Sequence, residues 1–167
     1  MEIGLSLGSN LGDRLQNLIE AKKRVAAVPG VALAAISPVY ETEPVDVAAE
    51  FSHLAFLNAI LIVESAVALR TLARRLRAIE DEMGRVRGPD RNSPRPIDID
   101  VIFADGIRLS AGGLTIPHPR WAQRRFVAQP LADVRPDLKL PGESRTVREV
   151  AESLPPDGKV TRYAERW

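Results

Sequence analysis

The hydrophobic period of this chain switches from two residues to about 3.6 and back again twice before position 104, and few folds accommodate that order. Ile3, Leu5 and Leu7 alternate with Glu2, Gly4 and Ser6, which predicts an opening strand. From about Asp13, the residues Leu15, Leu18, Ala21, Val25 and Val28 form one apolar helical stripe that Pro29-Gly30 stops. Strands are predicted from Val31 to about Tyr40 and from Leu54 to Glu64. In the second of these, Leu57, Ala59, Leu61 and Val63 make one face apolar, whereas the other begins with Phe56 and Asn58. Leu69, Leu72, Leu76, Ile79 and Met83 recur at helical spacing, so a helix is predicted over Ala66 to Met83, ended by Gly84. After a loop, Ile97 to Phe103 predicts another strand, with Ile97, Ile99, Val101 and Phe103 on one face. The order strand, helix, strand, strand, helix, strand is that of a ferredoxin-like split β-α-β sandwich, an α+β fold with an antiparallel sheet and two helices on one face. Farther on, the pattern predicts a short hairpin across Gly106 or Gly112-Gly113, a helix near Trp121 to Val127 and a last helix from Thr146 to Ser153.

Of 167 residues, 45% are apolar, enough for one sizeable core, so a single domain over residues 1–167 is expected. The 23 basic and 22 acidic residues leave a formal charge of +1, which argues against a dedicated nucleic-acid binder. There is no cysteine, which removes disulfides, thiolate nucleophiles and Cys-ligated metals and suits a reducing cytoplasm. The N-terminus has neither a basic leader nor a long apolar stretch, and no apolar run approaches the ~18–20 residues of a membrane helix. A cytoplasmic monomer that uses no membrane is the expectation.

Asp98 and Asp100 are two apart on a predicted strand, so both face one side of the sheet with Cα atoms roughly 6.5–7 Å apart. Paired carboxylates repel unless a cation lies between them, and a hard ion such as Mg²⁺ fits. A solvated polar face is the plainer alternative. The preceding loop carries Arg85, Arg87, Arg91 and Arg95, whose planar guanidiniums match phosphate oxygens, so a metal-bridged polyphosphate is indicated. Those arginines could instead pair with Asp90, Asp98 and Asp100 or face water. There is no Walker A sequence. Gly8-Ser9-Asn10-Leu11-Gly12-Asp13 matches no nucleotide fingerprint, and a turn with helix capping by Asn10 or Asp13 accounts for it at least as well.

Phe56 and Asn58 together offer a stacking surface and an edge hydrogen bond, as a flat heterocycle requires, with a core Phe and a buried Asn satisfied by backbone as the plainer alternative, and Phe126 is a candidate second ring. His118, between Pro117 and Pro119, is either held toward phosphates or a turn residue. His53 has no special claim.

Taken in order, Gly8-Ser9-Asn10, Tyr40-Glu41-Thr42-Glu43-Pro44-Val45, Phe56-Leu57-Asn58-Ala59, Glu80 with Gly84-Arg85-Val86-Arg87, Pro94-Arg95-Pro96-Ile97-Asp98-Ile99-Asp100, and Pro117-His118-Pro119 with Arg124-Arg125-Phe126 resemble the 6-hydroxymethyl-7,8-dihydropterin pyrophosphokinases over residues 1 to about 142. The resemblance implies transfer of pyrophosphate from ATP to the pterin in folate biosynthesis, giving AMP and the pterin diphosphate. It implies Asp98 and Asp100 as ligands of two Mg²⁺ ions, with Arg85 and Arg95 beside them as catalytic groups. For the pterin it implies Thr42, Glu43, Val45, Phe56, Asn58 and Phe126. For the nucleotide it implies Arg85, Arg87, Arg95, Thr115, His118 and Arg124. The chain departs from the family's common pattern at Gly88, Asn92, Gly113 and Pro119, which implies altered lid and nucleotide contacts. Two other readings of the residues stay open: a metal-dependent phosphohydrolase acting through Asp98 and Asp100, and a non-catalytic ferredoxin-like module binding a ligand or RNA.

Overall fold

A computed structural model describes residues 1–44, 51, 53–86, 93–155 and 160–167. The elements run β1 (Glu2–Ser9), α1 (Arg14–Ala26), β2 (Val31–Ile36), β3 (Val39–Thr42), β4 (Phe56–Ser65), α2 (Leu69–Glu82) and β5 (Asp98–Ala104). The hairpin β6 (Leu109–Ala111) and β7 (Leu114–Ile116) follows, then a 3-10 turn at Trp121–Gln123, α3 (Arg125–Val134), α4 (Val147–Ser153) and β8 (Val160–Ala164). The main sheet has the order β5-β1-β4-β3-β8, with β2 also on β4, and its pairings are antiparallel. With β2 and β3 counted as one interrupted strand, this is the expected ferredoxin-like sandwich.

Alternation sends the two faces of the sheet to different neighbours. Leu5, Leu7, Leu57, Leu61, Ile97 and Ile99 pack against Leu18 and Val25 of α1 and Leu72, Leu76 and Ile79 of α2. Ile60, Ile62 and Ile102 on the other face pack against Val127 and Leu131 of α3 and Val147 and Val150 of α4. Helices therefore cover both faces, not one alone, and α3 with α4 leaves part of the second face for the site. No helix among the described residues is long and apolar enough to cross a membrane.

Several local expectations change. The strand expected over Val31 to Tyr40 breaks at Ser37-Pro38, because proline has no N–H to give a ladder. Ser37 bridges the gap: its N–H donates to the Ile60 carbonyl at 3.0 Å, and its Oγ accepts the Ile60 N–H at 2.8 Å. The helix expected near Trp121 to Val127 is a 3-10 turn followed by α3, which continues to Val134 through the buried Pro130. Asp13 caps α1 by accepting the Gln16 N–H at 3.0 Å, so Asn10 is not the cap. The helix over Thr146 to Ser153 is present, with Thr146 and Glu149 forming a capping box. Strand β8 was not expected at all.

Phe103 does not share the face of Ile99. The β1–β5 register shifts between Gly4 and Leu5, and this bulge turns Phe103 into the second core, where its ring lies over Gly4. A Cβ on Gly4 would meet the ring at 2.2 Å. Gly4→Ala is therefore expected to destabilise the protein by about 1–3 kcal/mol, and Phe103→Leu added to it to recover part of the loss, as read by urea unfolding.

Candidate functional site

The register builds the site floor row by row. Gly8 pairs with Asn58 of β4 on one side and Asp98 of β5 on the other, and Ser6 pairs with Ile60 and Asp100. Asn58 and Asp98 are thus two strand spacings apart, roughly 9–10 Å, with glycine between them. A Cβ on Gly8 would lie 3.0 Å from Asn58 Oδ1, so the missing side chain opens the trough. Thr42 pairs with Phe56 and extends the floor onto β3. The cavity above this floor encloses about 720 Å³, part of it open to solvent. Thr42, Glu43, Phe56, Asn58, Arg95, Asp98 and Asp100 line it from the sheet side, and Arg124 and Phe126 from the start of α3. Sequence reasoning missed Ser6 and Arg120, which also line it. Ser6 carried a signal, since a small polar residue midway along the opening strand is a gap to be filled, whereas exposed Arg120 carried none.

Phe56 and Phe126 are both half-buried, with the guanidiniums of Arg95 and Arg124 at 5.3 and 5.4 Å from their respective ring centroids. The Asn58 side-chain N–H donates to Thr42 Oγ1 at 2.7 Å. That bond leaves Asn58 Oδ1 as an acceptor and the Thr42 hydroxyl as a donor toward a ligand edge.

At the carboxylate end, an ionic cluster fixes orientation. Glu80 of α2 is 3% exposed, and its Oε1 accepts the Ile99 N–H at 2.7 Å. Arg85 donates to both Glu80 and Asp98, and Arg95 Nη2 lies 2.9 Å from Asp98 Oδ2. Asn10 holds the arginine-bearing loop, its Oδ1 accepting the Arg95 N–H at 2.8 Å. Asn10 is 3% exposed and its Nδ2 has no hydrogen-bond partner. Arg95 thus takes both postulated forms at once, paired with a carboxylate and placed at the cavity, whereas Arg85 is paired with Asp98 and does not line the cavity.

Burial opposes ionisation of Asp98, yet Arg95 and Arg85 outweigh it and hold its carboxyl below the ordinary value. Burial and the adjacent Asp98 charge push Asp100 the other way, up to about 6, against the partial pull of Arg124, Arg85 and Arg95. Among the described residues no group of three or more His, Cys, Asp or Glu gathers, so any cation here would rest on these two carboxylates. Two carboxylates completed by phosphate oxygens and water would suit Mg²⁺, and Asp100, whose charge the arginines only partly offset, is where a cation would be gained most.

His118 and Thr115 sit apart from that cavity, lining a second one of about 940 Å³ beside the β6–β7 hairpin. Burial and the Arg124 and Arg120 charges push His118 down to about 4, so the ring is neutral near pH 7. Its Nδ1 accepts the Arg120 N–H at 3.2 Å, which assigns the ring proton to Nε2. Val45, Arg87, Gly88, Arg91 and Asn92 lie outside the described residues.

A model of the family described as 7,8-dihydro-6-hydroxymethylpterin-pyrophosphokinase (HPPK) matches residues 4–136. The chain belongs to this family. It is 39% identical over 154 residues to the 2-amino-4-hydroxy-6-hydroxymethyldihydropteridine pyrophosphokinase of Methylorubrum extorquens, covering 92% of this chain and 94% of that protein. With the pyrophosphokinase of Pseudomonas aeruginosa the identity is 34% over 154 residues, 92% of each. The folic acid synthesis protein fol1 of Schizosaccharomyces pombe is 34% identical, but the shared part is only 20% of that longer protein. Plasmodium falciparum HPPK-DHPS, solved with pteroate, shares the fold at a TM-score of 0.68 and 14% identity, over 90% of this chain and 42% of that one.

Of the positions where the resemblance implies a departure, Gly113 and Pro119 lie in described residues. Gly113 has a φ of +75° in the β6–β7 turn, and Arg77 of α2 reaches within 4.0 Å of where its Cβ would be. Pro119 is exposed.

The Asp100 shift has a stability consequence. Its carboxyl holds a proton to about pH 6 when folded but only to 3.8 otherwise, so between those values the folded state binds more protons and loses stability as pH rises. Without divalent ions, Asp100→Asn is therefore expected to raise Tm by about 2–6 °C near pH 7.5, with the gain vanishing below about pH 4, as thermal unfolding at both pH values would test.

Proposed function

We propose that this HPPK-family chain transfers a pyrophosphoryl group from ATP to 6-hydroxymethyl-7,8-dihydropterin, releasing AMP and supplying the pterin diphosphate for folate biosynthesis. The observation that carries this reading is the single trough with an aromatic-amide end, Phe56, Asn58 and Thr42, and a carboxylate-arginine end, Asp98, Asp100 and Arg95. A planar heterocycle held at the first end places its substituent beside phosphates held at the second.

The roles follow from chemistry at each position. Phe56 and Phe126 are assigned to stack on the pterin, with Asn58, Thr42, Glu43 and Val45 along its edge. Arg85, Arg87, Arg95 and Arg124 are assigned to the phosphates, where permanently charged guanidiniums oppose the charge developed in phosphoryl transfer. His118, neutral with its proton on Nε2, is assigned to donate to a phosphate oxygen, and Thr115 to contact the nucleoside, both from the second cavity. Asp98 and Asp100 would hold two Mg²⁺ ions, which when bound supply charge neutralisation on the phosphates and alignment of the hydroxymethyl oxygen with the β-phosphorus. The hydroxymethyl oxygen bonds to the β-phosphorus as the bond to the AMP oxygen breaks, and the hydroxyl proton is released to water. Every assigned residue belongs to one chain, so a cytoplasmic monomer acting on two small molecules suffices.

An RNA platform needs an open sheet face, and α3 and α4 cover Ile60, Ile62 and Ile102. A phosphohydrolase would leave the aromatic-amide end without a task.

AMP formation is expected to require ATP, Mg²⁺ and the hydroxymethyl-dihydropterin together; phosphate or pyrophosphate release without the pterin would overturn the assignment. Asp98→Ala should cost at least about a hundredfold in rate while the protein stays folded. Asn58→Ala should weaken pterin binding by about tenfold and a nonhydrolysable ATP analogue by under about twofold in titration calorimetry.

A further inference from the structure

Outside the cavity, Tyr40 of β3, Asp133 of α3 and Arg162 of β8 form one bridge. Tyr40 Oη donates to Asp133 Oδ2 at 2.6 Å, while Arg162 Nη2 donates to Tyr40 Oη at 3.2 Å and to Asp133 Oδ1 at 3.4 Å. The Arg162 guanidinium also lies 5.7 Å from the Tyr40 ring centroid. Tyr40 is buried and lines neither cavity described above.

Each member stands on an element in register with the trough. Tyr40 and Thr42 are two apart on β3 and share a face, and Tyr40 pairs with both Asn58 and Arg162. One row of residues therefore crosses five strands: Arg162, Tyr40, Asn58, Gly8 and Asp98. On α3, Phe126 and Asp133 are seven residues apart, nearly two turns, so they fall on the same helical face within about 20°. The bond from Asp133 to Tyr40 fixes how far the helix bearing Phe126 stands from the strand bearing Thr42. The aliphatic contacts of Val127, Ala128 and Leu131 are non-directional, whereas a charge-assisted hydrogen bond sets distance and rotation.

Strand β8 lies beyond the family-matched residues 4–136, yet it pairs with β3 and the chain just after it is anchored. Trp167 Nε1 donates to the Ser37 carbonyl at 2.8 Å, and Lys22 Nζ stands 4.5 Å from the indole centroid.

We infer that the Tyr40–Asp133–Arg162 bridge is a positioning device for the pterin slot, holding Phe126 at the stacking distance from the Thr42–Asn58 edge and setting pterin affinity independently of the nucleotide side. The inference rests on the assignment of Phe126, Thr42 and Asn58 to the pterin.

The test compares Tyr40→Phe, Asp133→Ala, their double variant and the exposed Arg162→Gln. Titrations with hydroxymethyl-dihydropterin and with a nonhydrolysable ATP analogue are run beside thermal unfolding. Tyr40→Phe and Asp133→Ala are each expected to raise the pterin Kd about threefold to tenfold, the span of one lost hydrogen bond, with the nucleotide Kd within about twofold. The double variant should be no weaker than the worse single one, because both remove the same bond. Arg162→Gln should shift pterin affinity in the same direction without unfolding a core residue. An unchanged pterin Kd in Tyr40→Phe, equal weakening of both ligands, or additive losses in the double variant would overturn the inference. Asn58→Ala separates the two ideas: pterin loss there with none in Tyr40→Phe removes the bridge alone, and no loss in Asn58→Ala removes the pterin assignment itself.

Discussion

The site depends on one constraint of the pleated sheet: side chains two apart share a face, and whatever central strand lies between two functional strands must be nearly bare. Gly8 meets it. With glycine there, Asn58 and Asp98 face each other across a gap of two strand spacings, and any larger residue would fill the space between them. Ser6 repeats the arrangement one row along, beside Asp100. The same alternation that puts Leu5 and Leu7 into the α1–α2 core therefore empties the opposite face.

A trough with carboxylates at one end needs those carboxylates charged and aimed. Glu80 does the aiming. Its buried charge is offset by the Ile99 N–H and Arg85, and those two bonds tie the end of α2 to the start of β5, where Asp98 and Asp100 are. Arg85 and Arg95 then satisfy Asp98 from within the protein. Asp100, buried beside the Asp98 charge, instead keeps its proton to about pH 6. The two aspartates are thus unlike: one is held ionised by the chain's own arginines, and the other gives up its proton only near pH 6.

How much of this could be read from the letters follows how local each cause is. The stripe from Leu69 to Ile79 and the Asp98/Asp100 alternation are set by periodicity within a single element, and both appear as expected. The Pro38 interruption was written in the sequence but overridden by a continuous apolar pattern, and only the tertiary partner Ile60 reveals how Ser37 bridges it. The Phe103 bulge depends on the β1–β5 register, a long-range quantity with no local signature. Strand β8 is short, half polar and an edge, so nothing in its own pattern distinguishes it from a loop; its pairing with β3 does. Asn10 was legible as a polar turn residue, but its partner is Arg95, 85 positions away.

The second helical layer explains where the site stops. Along the face opposite α1 and α2, Ile60, Ile62 and Ile102 are sealed beneath α3 and α4, while Phe56, Asn58, Asp98 and Asp100 line the cavity. The boundary falls at the first turn of α3, where Phe126 faces the cavity and Val127 lines both cavity and core. A helix start can serve both purposes because consecutive residues point about 100° apart. Moving α3 by a single residue would put either Arg125 or Val127 where Phe126 now faces the trough. The position of this helix on the sheet is therefore a functional coordinate as much as a structural one, and the polar contacts that hold its far end act on the site from outside it.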